Sequence, residues 1–181
     1  GSAKVSKLEA DPRLLILFAG YSFSKEYNED RGHMNSVQDV REIKRVTETT
    51  AGTCYSCKSA NNPRLWDKMG MEAYDQTLFM DLGKQITEPI GCANCHEANT
   101  MKLIVTNPAL LEALEAQGKD WTTFTRQEMR TVVCANCHVE YYFNGKGNYL
   151  TFPWENGTRI EDTISYYDEQ GFKDWEYPEA G

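Results

Sequence analysis

The chain has 181 residues, of which 40% are hydrophobic, a mean hydropathy of −0.61 and a formal net charge of −8. Because a polyanion repels nucleic acid and anionic membrane surfaces, we expect neither as a partner. The longest apolar run, at 14–19, is far shorter than the roughly 18 residues of a membrane-spanning helix, so we do not expect an integral membrane protein.

The first half of the chain predicts short helices. Asp11-Pro12 places a proline in the first turn of a helix that Gly20 ends. Asn35-Ser36 can cap a helix that reaches about Arg45. The stretch at 66–80 is also typical of a helix, and its methionines and aromatic residues favour core packing.

The second half carries clearer signals for where elements begin and end. A helix opens at Asn107-Pro108 and closes at Gly118. Thr125 and Glu128 have the spacing of a capping box for a helix that runs toward Cys134. Asn144-Gly145 lies between Tyr142-Phe143 and Tyr149-Leu150 and predicts a small hairpin or loop, and a last helix is predicted over 160–170.

Three Cys-x-x-Cys motifs contain all six cysteines, which leaves none for a disulfide. Cys-x-x-Cys-His is the attachment signature of a c-type haem, in which two thioethers hold the porphyrin and the histidine ligates iron. We therefore predict three covalently bound haems c, one of which has a lysine in the place of the histidine. The motifs read Cys54-Tyr-Ser-Cys57-Lys58, Cys92-Ala-Asn-Cys95-His96 and Cys134-Ala-Asn-Cys137-His138.

Two other kinds of site also use Cys-x-x-Cys. A zinc site takes four ligands, so three motifs would leave one pair idle. A thioredoxin-like dithiol belongs in a strand–helix–strand context, which this pattern lacks. A zinc-binding interaction module is therefore the weaker interpretation, and a red purified protein would exclude it.

The number of histidines limits how the irons are ligated. His96 and His138 follow their cysteines as proximal ligands, and His33 is the third and last histidine. We expect His33 to be a distal ligand, so one histidine-ligated haem must take methionine, water, a buffer ligand or a residue of another chain. Lys58 can ligate iron only as the neutral amine. The alternative is a surface lysine beside a haem whose axial ligand lies elsewhere.

These patterns predict one domain over 1–181, mainly α-helical with extensive loops and little β-structure, wrapped around three haems. The apolar share of the chain is low for a core built from side chains alone, and three porphyrins would supply the missing apolar mass. The chain is therefore not expected to fold without haem. A cooperative unfolding transition in a haem-free preparation would contradict this expectation.

Several segments carry a family resemblance: 11–13, 28–33 (Asn-Glu-Asp-Arg-Gly-His), 37–41, 54–59, 134–143 and 152–154. With them the chain resembles the N-terminal three-haem portion of pentahaem cytochrome c nitrite reductase, the ammonia-forming enzyme. The resemblance implies that Lys58 ligates the catalytic iron and that Arg41 and Tyr141 hold nitrite in the distal pocket. It also implies that Glu140 and the Tyr141 carbonyl form part of a calcium site. It makes His33 the distal ligand of a histidine-ligated haem, without saying which one.

The implied function is the six-electron reduction of nitrite to ammonium, with electrons delivered through the haems of His96 and His138. The resemblance also implies a bacterial periplasmic location and an external electron donor, such as a quinol-oxidising cytochrome. The competing interpretation is a trihaem electron-transfer cytochrome without substrate chemistry.

Full-length members of that family continue with two more haem motifs, a catalytic distal histidine, further calcium ligands and dimer helices. We therefore expect a truncated or minimised module that is monomeric and has impaired activity. The opening Gly1-Ser2 is interpreted as a cloning remnant, and an export leader is expected to have been removed.

Overall fold

The computed structural model describes residues 3–145 and 147–173. Within these residues the chain forms short helices joined by loops and one two-stranded sheet, which confirms the predicted fold class. The α-helices are α1 (Lys7–Ala10), α2 (Arg13–Leu17), α3 (Ser36–Glu42), α4 (Asn62–Met69), α5 (Met71–Gln76), α6 (Phe79–Leu82), α7 (Pro108–Ala116), α8 (Arg126–Val132) and α9 (Ile160–Gln170).

The helices of the second half begin and end where their capping residues predict. The Asn107 side chain accepts a hydrogen bond from the Ala109 amide at the start of α7. Thr125 and Glu128 form a reciprocal capping box at the start of α8. Helix α9 spans the predicted residues and is closed by Gly171 at φ +63°, a conformation that glycine adopts without steric cost.

The predicted hairpin is also present. Strand β1 (Tyr142–Asn144) pairs antiparallel with β2 (Tyr149–Thr151), with Phe143 opposite Leu150. The Leu150 side chain is buried in the core beside α7, so the hairpin packs onto the helices.

Two predictions in the first half need correction. Helix α3 ends at Glu42, three residues before the predicted Arg45, because Ile43 is extended and the Lys44 amide donates to the Glu26 carboxylate instead of to a helix carbonyl. The predicted helix at 66–80 is divided between α4, α5 and α6. Gly70 at φ +78° separates the first two of these helices, and Thr77 is extended.

Buried apolar side chains form two clusters, one under the first attachment motif and one under the third. The first cluster connects the four helices α3, α4, α5 and α6, and the second connects α7, α8 and the hairpin. The longest helix that the structure describes, α9, has 11 residues, and none of the described helices is long and apolar enough to cross a membrane. The first cluster contains Val37, Tyr55, Leu65, Trp66, Tyr74, Phe79, Leu82 and Ile86, and the second contains Met71, Val105, Ala109, Leu110, Ala113, Leu114, Met129, Ala135, Leu150 and Phe152.

Candidate multihaem site

The three motifs adopt a common local conformation. Each contains a turn of 3₁₀-helix, at Gly52–Tyr55, Cys92–Asn94 and Val133–Asn136. In the second and third motifs the histidine amide donates to the carbonyl of the first cysteine, at 2.8 Å in both. All six cysteines are free thiols. The motifs are therefore folded as compact loops in which both thiols and the ligand side chain are presented together.

Buried asparagines hold the second and third motifs in place. Asn94 accepts from the Gly91 amide at 3.0 Å and donates to the Ser59 carbonyl at 2.9 Å, just after the first motif. Asn136 accepts from the Thr106 and Asn107 amides, at 2.9 and 3.0 Å. Each motif is thus hydrogen-bonded to the chain segment that follows the preceding motif, which fixes the spacing of the three.

The first motif is held by side chains from α3 and α4. Ser36 donates to the Lys58 carbonyl at 2.6 Å, and Asn62 donates to the Tyr55 and Ser56 carbonyls at 2.7 and 2.9 Å. Gly52 lies so close to α5 and α6 that a Cβ there would stand 2.5 Å from a Leu82 methyl and 2.8 Å from the Thr77 carbonyl. The first motif therefore packs directly against the first core cluster.

Motifs one and three face one cavity of about 550 Å³. The Cys137 thiol donates toward the Cys57 sulfur, and this contact lowers the pKa of Cys57 and, together with burial, raises that of Cys137. The cavity lies within the range of sizes in which proteins bind small molecules and cofactors, roughly 300–1,000 Å³. The histidines and charged residues that line it are His33, Arg45, Lys58, His138, Arg31, Glu29, Asp30 and Asp39, alongside Cys57 and Cys137.

His33 lies opposite His138 across this cavity. Their ring centroids are 6.1 Å apart and their planes are inclined by 36°. Because a metal–imidazole nitrogen bond is about 2 Å long, two imidazoles on opposite sides of one metal hold their centroids on the order of 6 Å apart. The spacing fits a shared iron between these two rings, which the sequence could not pair.

Two cations in the cavity have no carboxylate partner among the described residues. Arg31 is bound by Asp39, but neither Lys58 nor Arg45 forms an ion pair there. The Nε of Arg45 is buried without a hydrogen-bond partner, and its guanidinium lies 4.5 Å from the centre of the Phe23 ring. A buried, unsatisfied guanidinium nitrogen beside a lysine amine is a feature that would attract an anion.

Arg41, which the family resemblance places in the substrate pocket, lies outside this cavity. Its guanidinium donates to the Tyr55 hydroxyl at 3.1 Å and to the carbonyls of Gly83 and Ile86 at 2.6 and 2.7 Å. These bonds tie α3 to the segment after α6, so Arg41 has a structural role and Arg45 is the arginine in the cavity. The sequence analysis did not single out Arg45, whose signal was its position four residues after Arg41.

Tyr141 lies close to the first motif and to Arg45. Its ring is 44% exposed, yet desolvation of the hydroxyl, with smaller contributions from the Cys57 and Cys54 sulfurs, raises its pKa to about 12, while Arg45 opposes the shift. A raised pKa keeps the hydroxyl protonated and able to donate a hydrogen bond.

Glu140, the predicted calcium ligand, is exposed and accepts a hydrogen bond from the Tyr167 hydroxyl of α9 at 2.9 Å. Within 3–145 and 147–173, no group of three or more histidine, cysteine, aspartate or glutamate side chains is placed to hold a metal ion. The described residues therefore bring Glu140 and Tyr141 together without completing a calcium site.

Comparison with known proteins decides the family. The model of the family named Cytochrome c552 matches residues 1–181. The chain belongs to the cytochrome c552 family. Curated relatives named cytochrome c-552 are 50% identical in Parabacteroides distasonis, over 182 residues, and 46% identical in Bacteroides thetaiotaomicron, over 183 residues. Each alignment covers 97% of this chain but only 37% of the relative, so the chain spans just over a third of their length.

A solved structure agrees with this assignment. The chain superimposes on cytochrome c nitrite reductase from Desulfovibrio desulfuricans with a TM-score of 0.77 and 37% identity, over 86% of this chain and 35% of that one. That structure is described as a catalytic subunit with two calcium sites. The family resemblance inferred from the cysteine motifs is thereby confirmed.

Proposed function

We propose that this chain carries the nitrite-reducing site of a cytochrome c nitrite reductase, with three covalently attached haems c. The observation that carries the proposal is that Lys58 and Arg45, whose Nε is buried without a hydrogen-bond partner, line one cavity with the sulfurs of two attachment motifs. Lys58 would ligate the haem iron, and Arg45 would attract a small anion into the same cavity.

The described residues fit the group that the family implies. Six free thiols occur in three compact loops, and each loop presents a nitrogen ligand, from Lys58, His96 or His138. His33 would ligate the same iron as His138, which the 6.1 Å spacing of their ring centroids supports, and the chain has no further histidine to do so for the iron of His96. When bound, haem iron would supply electrons to the nitrogen of the substrate.

The residues around the cavity have distinct roles in the proposal. Arg45 binds the nitrite oxygens through a fixed cationic fork and favours their departure as water. Tyr141, whose hydroxyl stays protonated, donates a hydrogen bond near the reacting nitrogen. The overall reaction takes one nitrite, eight protons and six electrons to one ammonium ion and two water molecules, so the pocket must pass protons repeatedly.

Electrons would come from an external donor of the quinol-oxidising cytochrome kind, and covalent attachment of haem implies a periplasmic location. We also propose that this chain is less active than its full-length relatives. We also retain Glu140 and the Tyr141 carbonyl as contributors to a calcium site, supported by the two calcium sites of the related Desulfovibrio structure. Since calcium takes six to eight oxygen ligands, these two groups would supply only part of the set.

Arg41 lies in α3 and Arg45 lies just after it, and the pair allows a matched test on the haem-loaded chain. Arg45→Ala should weaken nitrite binding about 10- to 100-fold, since it removes a charge-assisted contact, and Arg45→Lys should recover part of it. Arg41→Ala, the control, should leave nitrite affinity unchanged while lowering stability. Nitrite affinity is measured from the visible spectrum, and ammonium is measured with a reduced viologen donor. Equal nitrite affinities in Arg45→Ala and the parent chain would contradict the proposed pocket.

Lys58→His provides the second arm. An imidazole ligand should change the spin state of one haem out of three and reduce ammonium formation. A pyridine haemochrome assay should give three haems per chain in every variant. Three low-spin haems that bind neither nitrite nor cyanide would instead indicate the trihaem electron-transfer cytochrome.

A further inference from the structure

The loop after His96 holds this histidine in one orientation. The Nδ1 atom of His96 lies 2.7 Å from the carbonyl oxygen of Met101, so Nδ1 carries the proton and donates to the carbonyl. His96 also forms a backbone bridge with Leu103, which keeps the loop closed against the motif. The contact leaves only Nε2 available to a metal.

The Met101 carbonyl reaches His96 because the loop turns through an unusual backbone conformation. Met101 has φ +56°, in the left-handed region that residues with a side chain rarely adopt. Its side chain is 55% exposed and so provides little packing that would explain the conformation. Such local strain persists only where the surrounding structure enforces it.

Glu97 is the residue that enforces the turn. Its carboxylate accepts hydrogen bonds from the Asn99 amide at 3.0 Å and the Thr100 amide at 2.7 Å. Its backbone carbonyl accepts from the Met101 amide at 2.9 Å, and its own amide donates to the Lys102 carbonyl at 2.9 Å. The loop is therefore organised from the position directly after the histidine.

The third motif repeats the same five residues without this arrangement. Val139, which follows His138, has no carboxylate with which to organise a loop. No hydrogen bond to the His138 ring nitrogens occurs among residues 3–145 and 147–173. The two motifs are identical in sequence, but His96 Nδ1 contacts the Met101 carbonyl, whereas the His138 ring has no such contact within the described residues.

We propose that Glu97 and Met101 are positioning residues that make His96 a stronger electron donor to its haem iron than it would be without them. The proposal rests on the haem attachment proposed above. A hydrogen bond from Nδ1 to a fixed acceptor raises the basicity of the ligating Nε2, which favours ferric over ferrous iron and lowers the reduction potential. The haem bound by Cys92 and Cys95 is thus biased toward passing electrons on rather than holding them.

The test is a redox titration of the haem-loaded chain followed by its visible spectrum. A Cys92→Ala, Cys95→Ala double variant, which lacks the second haem, identifies that haem's component in the titration. Met101→Ile should raise the potential of this component, because a β-branched residue resists a positive φ and displaces the carbonyl. Met101→Gly, which accepts this conformation freely, should leave the potential unchanged.

Three further variants separate the proposal from a general effect on folding. Glu97→Ala should raise the same component, and Glu97→Gln should recover part of the shift. Gly118→Ile is a matched control, because it forces a β-branched residue into φ +66° at a site with no atom within 4 Å of the added Cβ.

The outcomes are distinct. Loss of only the second haem in Glu97→Ala would also support a positioning role. Fully loaded Met101→Ile and Glu97→Ala chains with parental potentials would overturn the proposal. A parent chain with fewer than three haems would instead contradict the proposed function.

Discussion

The second and third attachment motifs share the five residues Cys-Ala-Asn-Cys-His, yet the structure places them in different surroundings. The third motif faces the cavity of Lys58, with His33 opposite its own histidine. The second lies outside that cavity, and its histidine is bound by its own loop. The comparison shows that the motif determines a local turn, whereas neighbouring segments determine what the ligand meets.

The largest effect is expected from the buried asparagines of the two motifs. Asn136→Ala should lower the free energy of unfolding by about 2–4 kcal/mol, because it leaves the buried Asn107 amide and the part-buried Thr106 amide without an acceptor and removes the donor to the Val133 carbonyl. Asn94→Ala should cost about 1–2 kcal/mol, since it leaves the part-buried Gly91 amide without an acceptor and removes the donor to the Ser59 carbonyl. Urea unfolding of the haem-loaded chain measures both.

Asn156 offers the matched control for these two substitutions. It is exposed and, among the residues that the structure describes, its side chain donates only to Glu169, so Asn156→Ala should stay within about 0.5 kcal/mol of the parent. Equal losses for Asn94→Ala and Asn136→Ala would mean that the third motif is no more tightly bound into the fold than the second.

A buried carboxylate attaches the hairpin after the third motif, and it should make stability depend on pH. Asp75 accepts from the Leu150 amide at 2.9 Å, and burial raises its pKa from 3.8 to about 6. The native state then holds this proton more tightly than the unfolded state does, so stability falls as pH rises from about 4 to about 6 and stays lower above it. The contribution is on the order of 2–3 kcal/mol.

Asp75→Asn tests this expectation, because an amide keeps the acceptor for Leu150 and cannot ionise. Unfolding free energies at several pH values between about 4 and about 7 should show a smaller decrease in the variant than in the parent chain. The exposed Asp81→Asn is the control and should keep the parental slope. Parallel slopes in all three proteins would remove Asp75 as the cause.

The smallest effect concerns Glu140, which lies two residues after the histidine of the third motif. Tyr167→Phe removes the hydroxyl that donates to Glu140 but keeps the ring, which packs 5.3 Å from the Tyr142 ring centre. For such an exposed bond we expect a loss of about 0.5 kcal/mol. Thermal unfolding with calcium and with a chelator measures it. A loss that appears only with the chelator would indicate that calcium, when bound, engages Glu140 in place of the Tyr167 hydroxyl.

The sequence alone determined the features that depend on nearby residues. The capping residues predicted α7, α8 and α9, and Asn144-Gly145 predicted the hairpin, because these signals act within a few positions. The cysteine spacing led to the family in the same way, since each attachment loop is complete within five residues.

The tertiary structure decided the contacts between distant segments. A continuous helix through Arg45 would have placed Arg41 and Arg45 on one face, one turn apart. The Glu26 carboxylate accepts a hydrogen bond from the Lys44 amide, and α3 ends at Glu42. The two arginines therefore separate, so that Arg41 binds the segment after α6 and Arg45 lines the cavity. His33 meets His138 for the same kind of reason. Which residues share a cavity depends on long-range hydrogen bonds that no local pattern encodes.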